Sequence, residues 1–332
     1  MTNPVALVEI WRGPFLESQH YGHAVVCDEA GEILHAWGDP ETVVLPRSSS
    51  KMLQALPLIE SGAADRAGLT DEQLALACAS HNGADIHSVR VNAWLKELGK
   101  TEEDFCCGPQ ERRDIPARDA LIRDGKPVCR YHNNCSGKHA GFLTLTDHLG
   151  AGPDYVALDH PVQAAVKSVF EEITQLDTPG YGIDGCSAPN FATTMHGMAR
   201  AMAFFAAANL DGDRRQNAAA RLRNAMATYP ELVAGEGRAC TDLMRAMGHK
   251  VAVKTGAEAY FIAIVPEKKL GVAVKITDGG TRGAECAIAA ILAKLGVLDA
   301  AHPLAAKYID APICNWDGLV TGRMQPTAAL RS

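Results

Sequence analysis

Strand-like hydrophobic patterns occur near both ends of the chain. Short apolar runs rich in β-branched residues alternate there with clusters of Gly, Pro, Asp and Lys, which is typical of β-strands and turns. They predict strands at residues 5–10, 22–27, 32–37, 251–254, 260–265 and 271–276, with turns at 28–31 and 266–269. Because an isolated hairpin is only marginally stable, we expect both sets of strands to join into one antiparallel sheet.

The long central region has a helical period instead. In its first segment, apolar residues recur at Met52, Leu53, Leu56 and Ile59, as on one face of a helix. Similar patterns predict helices at residues 50–59, 71–79, 86–98, 139–149, 161–174, 193–210, 214–229, 241–247 and 282–295.

These patterns predict an α/β (α+β) fold without an internal linker. We expect residues 1–332 to form a single catalytic unit. Residues 1–46 and 250–332 form its sheet, and residues 47–249 form a mainly helical portion packed with it.

Composition excludes several classes of function. The 332 residues carry 39 acidic and 32 basic side chains, a net charge of −7, whereas a nucleic-acid-binding protein needs a basic face. There is no basic segment followed by an apolar core at the start, and no apolar run of about 18 residues. We therefore expect a cytoplasmic protein without membrane contact, whose 10 cysteines are reduced thiols.

Three short motifs carry the candidate chemistry. Ser48 and Lys51 are three residues apart at a predicted helix start, and therefore lie on one face. A serine hydroxyl needs a neighbouring base, and a lysine with a lowered pKa can supply it. Ser-x-x-Lys alone arises often by chance, but Ser80-His81-Asn82 and Lys254-Thr255-Gly256 follow in order. This ordered set is the signature of penicillin-binding proteins and class A β-lactamases, and it predicts acyl transfer by serine and lysine.

Two further segments, residues 132–139 and 184–190, are dense in polar side chains around Cys135 and Cys186. Thiolates and imidazoles are good zinc ligands, although the paired Cys-x-x-Cys spacing of structural zinc sites is missing. From the residues alone, a metal site and a buried thiol in a glycine-containing turn both remain open.

The chain resembles the rhizobial-type (class 3) L-asparaginases, also called the asparaginase II family. The resemblance rests on residues 47–51, 80–83, 132–139, 184–189 and 254–258, and extends across most of the chain. It implies a serine-β-lactamase/penicillin-binding-protein-like fold, a homodimer, and hydrolysis of L-asparagine to aspartate and ammonia.

The resemblance also implies roles for individual residues. It implies two Ser–Lys pairs, Ser48 with Lys51 and Ser80 with Lys254. It implies a zinc ion held by Cys135, Lys138 and Cys186. Zinc is expected to play a supporting role, because the serine–lysine chemistry does not formally require a metal. The expected substrate-binding residues are Arg47, Asn82, His139, Asp184 and Cys240.

Two other classes of function remain open. The first is a serine hydrolase of the β-lactamase or D-alanyl peptidase type, or an esterase, which would share the three motifs. The helical region follows the Ser80 motif, however, and this spacing departs from that of β-lactamases. The second is a non-catalytic small-molecule sensor on the same fold, which would bind asparagine without releasing ammonia.

Overall fold

The computed structural model describes residues 3–331, which form two compact units. The first unit contains the chain up to Ser49, Thr193–Ala207 and the chain from Ala239 onward. The second contains Ser50–Ala192 and Ala208–Arg238. Within residues 3–331, no helix is both long and apolar enough to cross a membrane.

Strands and helices alternate in blocks along the chain. The strands are β1 (Val5–Arg12), β2 (Phe15–Cys27), β3 (Ile33–Trp37), β4 (Val43–Val44), β5 (Tyr181–Ile183), β6 (Pro189–Phe191), β7 (Thr193–Thr194), β8 (Ala252–Gly256), β9 (Tyr260–Val265), β10 (Leu270–Ile276), β11 (Ala311–Cys314) and β12 (Val320–Pro326). The helices are α1 (Lys51–Glu60), α2 (Ala63–Arg66), α3 (Asp71–Ala77), α4 (Asp85–Glu97), α5 (Ile115–Arg123), α6 (Ser136–Leu149), α7 (Pro161–Thr174), α8 (Met195–Ala207), α9 (Arg214–Thr228), α10 (Pro230–Val233), α11 (Ala239–Ala246), α12 (Thr281–Lys294) and α13 (Ala328–Arg331).

The first unit is built on an eight-stranded sheet in the order β11-β12-β1-β2-β10-β9-β8, with β3 also paired to β2. Every pairing in it is antiparallel. The two ends of the chain meet between β2 and β10, where Val26 lies opposite Val272. The predicted fold class is thereby confirmed: strands from both chain ends form one antiparallel sheet with helices packed on it.

Two apolar helices, α8 and α12, pack on this sheet. Gly271 of β10 allows the close approach of α8, because a Cβ atom there would lie 2.1 Å from the backbone of Ala199. On β2, His20 lies against Gly283 of α12. Since Gly271 pairs with Cys27, and side chains alternate between faces along β2, α8 and α12 cover opposite faces.

The second unit is a helical assembly. Helix α1 packs against α6, α7 and α9, and α3 packs against α6 and α9. Local sequence signals start several of these helices. Thr70 Oγ1 accepts the N–H of Gln73, whose side chain accepts the N–H of Thr70, and Asp213 caps α9 through the N–H of Gln216.

Several element boundaries differ from those predicted. Helix α6 begins three residues earlier than expected, at Ser136. Helix α8 begins later, because Thr193–Thr194 form β7 and pair with Val43–Val44. Strand β2 extends back to Phe15 as a hairpin with β1, and the hairpin of β11 and β12 was not identified. These additional strand segments are largely exposed and lack the continuous apolar runs on which the predictions depended.

Candidate active site

Ser48 lies in a 3-10 turn, Arg47–Ser50, directly before α1. The sequence predicted Ser48 at the start of a helix over residues 50–59, and the α-helix begins at Lys51. Arg47 turns the backbone with a φ of 51°, in the left-handed region. Such a conformation costs a non-glycine residue about 1–3 kcal/mol and persists only where the surrounding structure enforces it. Arg47 and Ser48 are half-buried, whereas Ser49 is fully buried.

The Lys254-Thr255-Gly256 motif lies in β8 and contacts this turn within the first unit. Ser49 Oγ donates a hydrogen bond to the carbonyl oxygen of Lys254 at 3.1 Å. A Cβ atom on Gly256 would lie only 2.7 Å from the carbonyl oxygen of Pro46. The glycine of the motif therefore permits the close approach of the serine-bearing turn to the strand that carries Lys254.

Cys240 lies beside the same strand. Its sulfur accepts a hydrogen bond from the N–H of Thr255 at 3.3 Å. Helix α11, which carries Cys240, is anchored by the buried Asp242, whose carboxylate accepts hydrogen bonds from Lys307 and Tyr308 at 2.9 Å each. Within the first unit, β8 therefore brings together the Ser48 turn, Lys254 and Cys240.

Lys51 belongs to the second unit and is completely buried. Its Nζ donates to the carbonyl oxygen of Ala79 and to Cys135 Sγ, the latter at 3.1 Å. Neither partner is a carboxylate. Lysine is almost never fully buried unless it is paired with a charge, so this burial without a carboxylate partner is unusual.

Ser80 and Asn82 follow α3 in a loop of the second unit, as predicted. Their backbone N–H groups donate to the carbonyl oxygens of Val233 and Ala234, both at 2.9 Å. Asn82 Nδ2 also donates to Asp114 at 3.3 Å. The side-chain amide of Asn82 thus helps to hold this loop, and its contact with a substrate stays a prediction.

Cys135, Lys138 and Cys186 come together in the second unit, although about 50 residues separate the last two. Cys135 caps the start of α6 and Lys138 lies three residues later, so their side chains share one face of the helix. Lys138 Nζ lies 3.0 Å from Cys186 Sγ. All three side chains are buried.

The charges of this cluster depend on one another. The neighbouring Cys135 thiol lowers the pKa of Cys186 far below its usual value, and Lys138 lowers it further. The neighbouring Cys186 sulfur, together with burial, raises the pKa of Cys135. Burial opposes a charged Lys138, but the two sulfur atoms and Asp184 raise its pKa above the usual range. The shifts of Cys186 and Lys138 both favour the charged forms, and each shift depends on the other group.

The donor set of this cluster fits zinc. Two cysteine sulfur atoms are ligands that zinc prefers, whereas the lysine amine is an uncommon zinc ligand. In residues 3–331, no group of three or more His, Cys, Asp and Glu side chains is arranged to hold a metal ion. A metal at this position would therefore need the Lys138 amine, which binds only after it has lost its proton.

Asp184 shapes the turn that carries Cys186. The backbone N–H of Asp184 donates to the carbonyl oxygen of Ala188 at 2.9 Å, and Asp184 Oδ1 accepts the N–H of Gly185 at 2.8 Å. This tight turn joins β5 to β6. Because Asp184 also interacts with Lys138, it influences both members of the Cys186–Lys138 contact.

Sequence reasoning missed some buried polar residues around these motifs. His81 accepts the N–H of Gly83 at Nδ1 and donates from Nε2 to Ser136 Oγ at 2.9 Å. His81 lies in the Ser80-His81-Asn82 motif and Ser136 lies in residues 132–139, so both belong to segments that the sequence had already singled out. Ser49 and Tyr155 were also missed, and Tyr155 had no signal because it is a single aromatic residue in a loop.

Residues 8–326 match the family model described as L-asparaginase II. This span includes the Ser48 turn, the Cys135–Cys186 cluster and the Lys254 strand. The chain belongs to the L-asparaginase II family. The prediction of this family from the motifs is thereby confirmed, and an asparaginase-type hydrolase is the class of enzyme that the family indicates.

Solved structures similar to this L-asparaginase II family member are distant. A β-lactamase from Mycobacterium bovis is 14% identical with a TM-score of 0.45, over 82% of this chain and 94% of that one. Mglu in its tris and glutamate form is 11% identical with a TM-score of 0.49, over 90% of this chain and 63% of that one. The octameric penicillin-binding protein homologue from Pyrococcus abyssi is 12% identical with a TM-score of 0.39, over 90% of this chain and 80% of that one. No curated protein matches the chain significantly.

Proposed function

We propose that this protein is an L-asparagine amidohydrolase that releases aspartate and ammonia through a serine acyl-enzyme. The observation that carries the proposal is the L-asparaginase II match over residues 8–326. It is supported by the strained turn at Arg47, directly before Ser48, and by the buried amine of Lys51.

In the first half of the reaction, Ser48 Oγ attacks the side-chain carboxamide carbon of asparagine, and Lys51 accepts the serine proton. Backbone N–H groups stabilise the oxyanion, and each such donor is worth about 3–4 kcal/mol. When the carbon–nitrogen bond breaks, the leaving group takes a proton and departs as ammonia. The product is a β-aspartyl ester of Ser48.

The second predicted pair, Ser80 and Lys254, supplies the proton for the departing ammonia. Water then attacks the ester carbon and gives a proton to the Ser80–Lys254 pair. The bond to Ser48 Oγ breaks, and Ser48 recovers its proton from Lys51. Aspartate is released. The Lys254 side chain lies in β8, the strand whose Gly256 contacts the serine-bearing turn, which supports a role for this lysine near the ester.

Cys135, Lys138 and Cys186 are the residues that would hold zinc in this proposal. A bound zinc ion supplies positive charge that orients and polarises the oxygen atoms of a substrate. The chain's own contribution is the buried sulfur of Cys186, together with the Cys135 sulfur and the Lys138 amine at the start of α6. Because Lys51 Nζ also contacts Cys135 Sγ, the position of Cys135 influences the placement of the proposed base.

Ammonia release from asparagine, glutamine, an asparagine-containing dipeptide and a chromogenic β-lactam tests the proposal directly. We expect release from asparagine, little from glutamine, and no β-lactam hydrolysis. Ser48→Ala should lower kcat at least a thousandfold, whereas Ser168→Ala, at an exposed serine of α7, should not change it. β-Lactam turnover without ammonia release, or normal turnover by Ser48→Ala, would contradict the proposal.

A homodimer is a further expectation from the family resemblance, and a cytoplasmic location is one from the composition of the chain. Light scattering on the purified protein measures the first. A mass equal to one chain of 35.3 kDa at micromolar concentration would contradict it.

A further inference from the structure

His139 lies next to Lys138 in α6 and is fully buried among aromatic rings. The rings of Phe105, Phe142 and Tyr155 surround it with centroid distances of 6.3, 5.9 and 5.4 Å. Buried polar groups in native proteins are almost always hydrogen-bonded. Since the carbon atoms of these rings offer no hydrogen bond, the nitrogen atoms of His139 depend on a few specific polar groups.

The first of these partners is the hydroxyl of Tyr155. Tyr155 Oη lies 2.8 Å from His139 Nδ1 and accepts the backbone N–H of Cys106 at 2.7 Å. Because the oxygen already accepts there, its own proton is free to be donated. The Cys106 thiol also lies beside this hydroxyl, but sulfur is a weaker acceptor than an imidazole nitrogen. Tyr155 therefore donates to His139 Nδ1.

This donation determines where the imidazole proton lies. A neutral imidazole whose Nδ1 accepts a hydrogen bond carries its proton on Nε2. Among the described residues, His139 Nε2 has no partner at normal hydrogen-bond geometry. Besides Tyr155, the polar side chains that interact with this ring are Cys186, through its sulfur, and the amines of Lys138 and Lys51. The Nε2–H group is therefore a donor available to the Cys186 sulfur.

Tyr155 is itself held in place. Gln163 Nε2 donates to the carbonyl oxygen of Tyr155 at 2.7 Å, and both residues are fully buried. Helix α7 therefore holds the backbone of Tyr155, while the N–H of Cys106 and the ring of His139 contact the hydroxyl.

We propose that Tyr155 is a positioning residue that selects the His139 tautomer with its proton on Nε2, and so directs a hydrogen bond to Cys186. The chain Tyr155–His139–Cys186 orients this sulfur beside Lys138 for zinc. The inference rests on the zinc site of the proposed function, and not on the serine chemistry. Residues that support metal ligands in this way typically change metal affinity by about 10–100-fold.

The first test compares Tyr155→Phe with the matched control Tyr21→Phe, which removes an exposed hydroxyl in β2. Zinc affinity is measured on the full chain by competition with a fluorescent chelator. We expect Tyr155→Phe to weaken zinc binding by about 10–100-fold and Tyr21→Phe to leave it unchanged. With cobalt in place of zinc, the thiolate-to-cobalt absorption band should shift in Tyr155→Phe alone.

A pair of variants at His139 keeps the inference testable if Tyr155→Phe fails to fold. The amide of His139→Gln can place a donor near the Nε2 position, whereas that of His139→Asn reaches only the Nδ1 position. We expect zinc affinity to fall about 10–100-fold in His139→Asn and by clearly less in His139→Gln. In the His139→Asn background, Tyr155→Phe should add no further loss.

The results separate this inference from the proposed function. Equal zinc affinity in wild type and Tyr155→Phe, or equal losses in His139→Gln and His139→Asn, would overturn the role of Tyr155. A wild-type protein that releases ammonia but binds no zinc would overturn it too, while leaving asparagine hydrolysis intact. A wild-type protein that binds zinc but releases no ammonia would overturn only the proposed function.

Discussion

Three consecutive serines at positions 48–50 have different surroundings. Ser48 is half-buried in the turn before α1, while Ser49 is fully buried and donates to the carbonyl oxygens of Lys254 and Tyr260 at 3.1 and 3.4 Å. A local sequence pattern cannot distinguish neighbours of the same residue type. At this scale, the contacts give Ser49 a structural role, and Ser48 remains the proposed nucleophile.

This difference predicts opposite effects of two adjacent alanine substitutions. Ser49→Ala should lower the free energy of unfolding by about 1–2 kcal/mol, because a buried hydrogen bond is lost, and should retain most ammonia release. Ser48→Ala should change stability by about 0.5 kcal/mol or less and abolish ammonia release. Urea unfolding followed by circular dichroism, together with the ammonia assay, measures both. The reverse pattern would exchange the roles of the two serines.

At the scale of elements, the start of α6 is positioned by its close packing against α3. A Cβ atom on Gly137 would lie 2.2 Å from the carbonyl oxygen of Leu76, which is backbone and cannot move aside. Gly137 lies between Cys135 and Lys138, on the same turn of chain. The contact between the two helices therefore also determines where these two side chains lie.

Gly137→Ala should consequently separate α6 from α3. We expect a loss of about 1–3 kcal/mol in the free energy of unfolding, as for other overpacked cores, and weaker zinc binding. Gly152→Ala is the control, because an added Cβ atom there would meet no heavy atom within 4 Å. Thermal unfolding and zinc titration of both variants test this. Wild-type behaviour of Gly137→Ala would show that the helices tolerate the additional methyl group.

On the scale of the whole molecule, buried histidines make stability depend on pH. Burial, and then the positive charge of Arg112, lower the pKa of His132 to about 4, although Glu102 and Asp85 oppose this. Both ring nitrogens face N–H donors, those of Cys129 and Arg112 at 2.9 Å each, so an added proton has no acceptor there. Burial also lowers the pKa of His81 and of His87.

The sign of this dependence follows from proton binding. Between pH 6.5 and about 4, the unfolded chain holds a proton on His132 that the folded protein does not. The free energy of unfolding therefore decreases as the pH falls through this range, by up to about 3 kcal/mol from this residue. His132→Gln should flatten the decrease, whereas His35→Gln, at an exposed position, should not. Urea unfolding at pH 7, 6, 5 and 4 measures this, and parallel curves for wild type and His132→Gln would contradict it.

Local periodicity identified the existence and type of the long elements. Strand β9 and helix α7 occupy the residues predicted for them, because one is a continuous apolar run and the other an amphipathic segment that begins with Pro161. Strands β11 and β12 were missed because much of their surface is exposed, and because β1, the second neighbour of β12, lies far away in sequence. The conformation of β12 depends on pairing with β1, and that of β11 on pairing with β12, rather than on their own composition.

The sequence by itself determined the family, the antiparallel fold class and the residue types of the proposed chemistry, since motif order and hydrophobic period are local properties. Only the tertiary structure decided which atoms meet. It brings Lys138 within 3.0 Å of Cys186, and Tyr155 within 2.8 Å of His139. It also shows why the last residue of the Lys-Thr-Gly motif is glycine, through the approach of Pro46. These contacts depend on the packing of helices and strands that are distant in sequence, and no spacing between neighbouring residues encodes them.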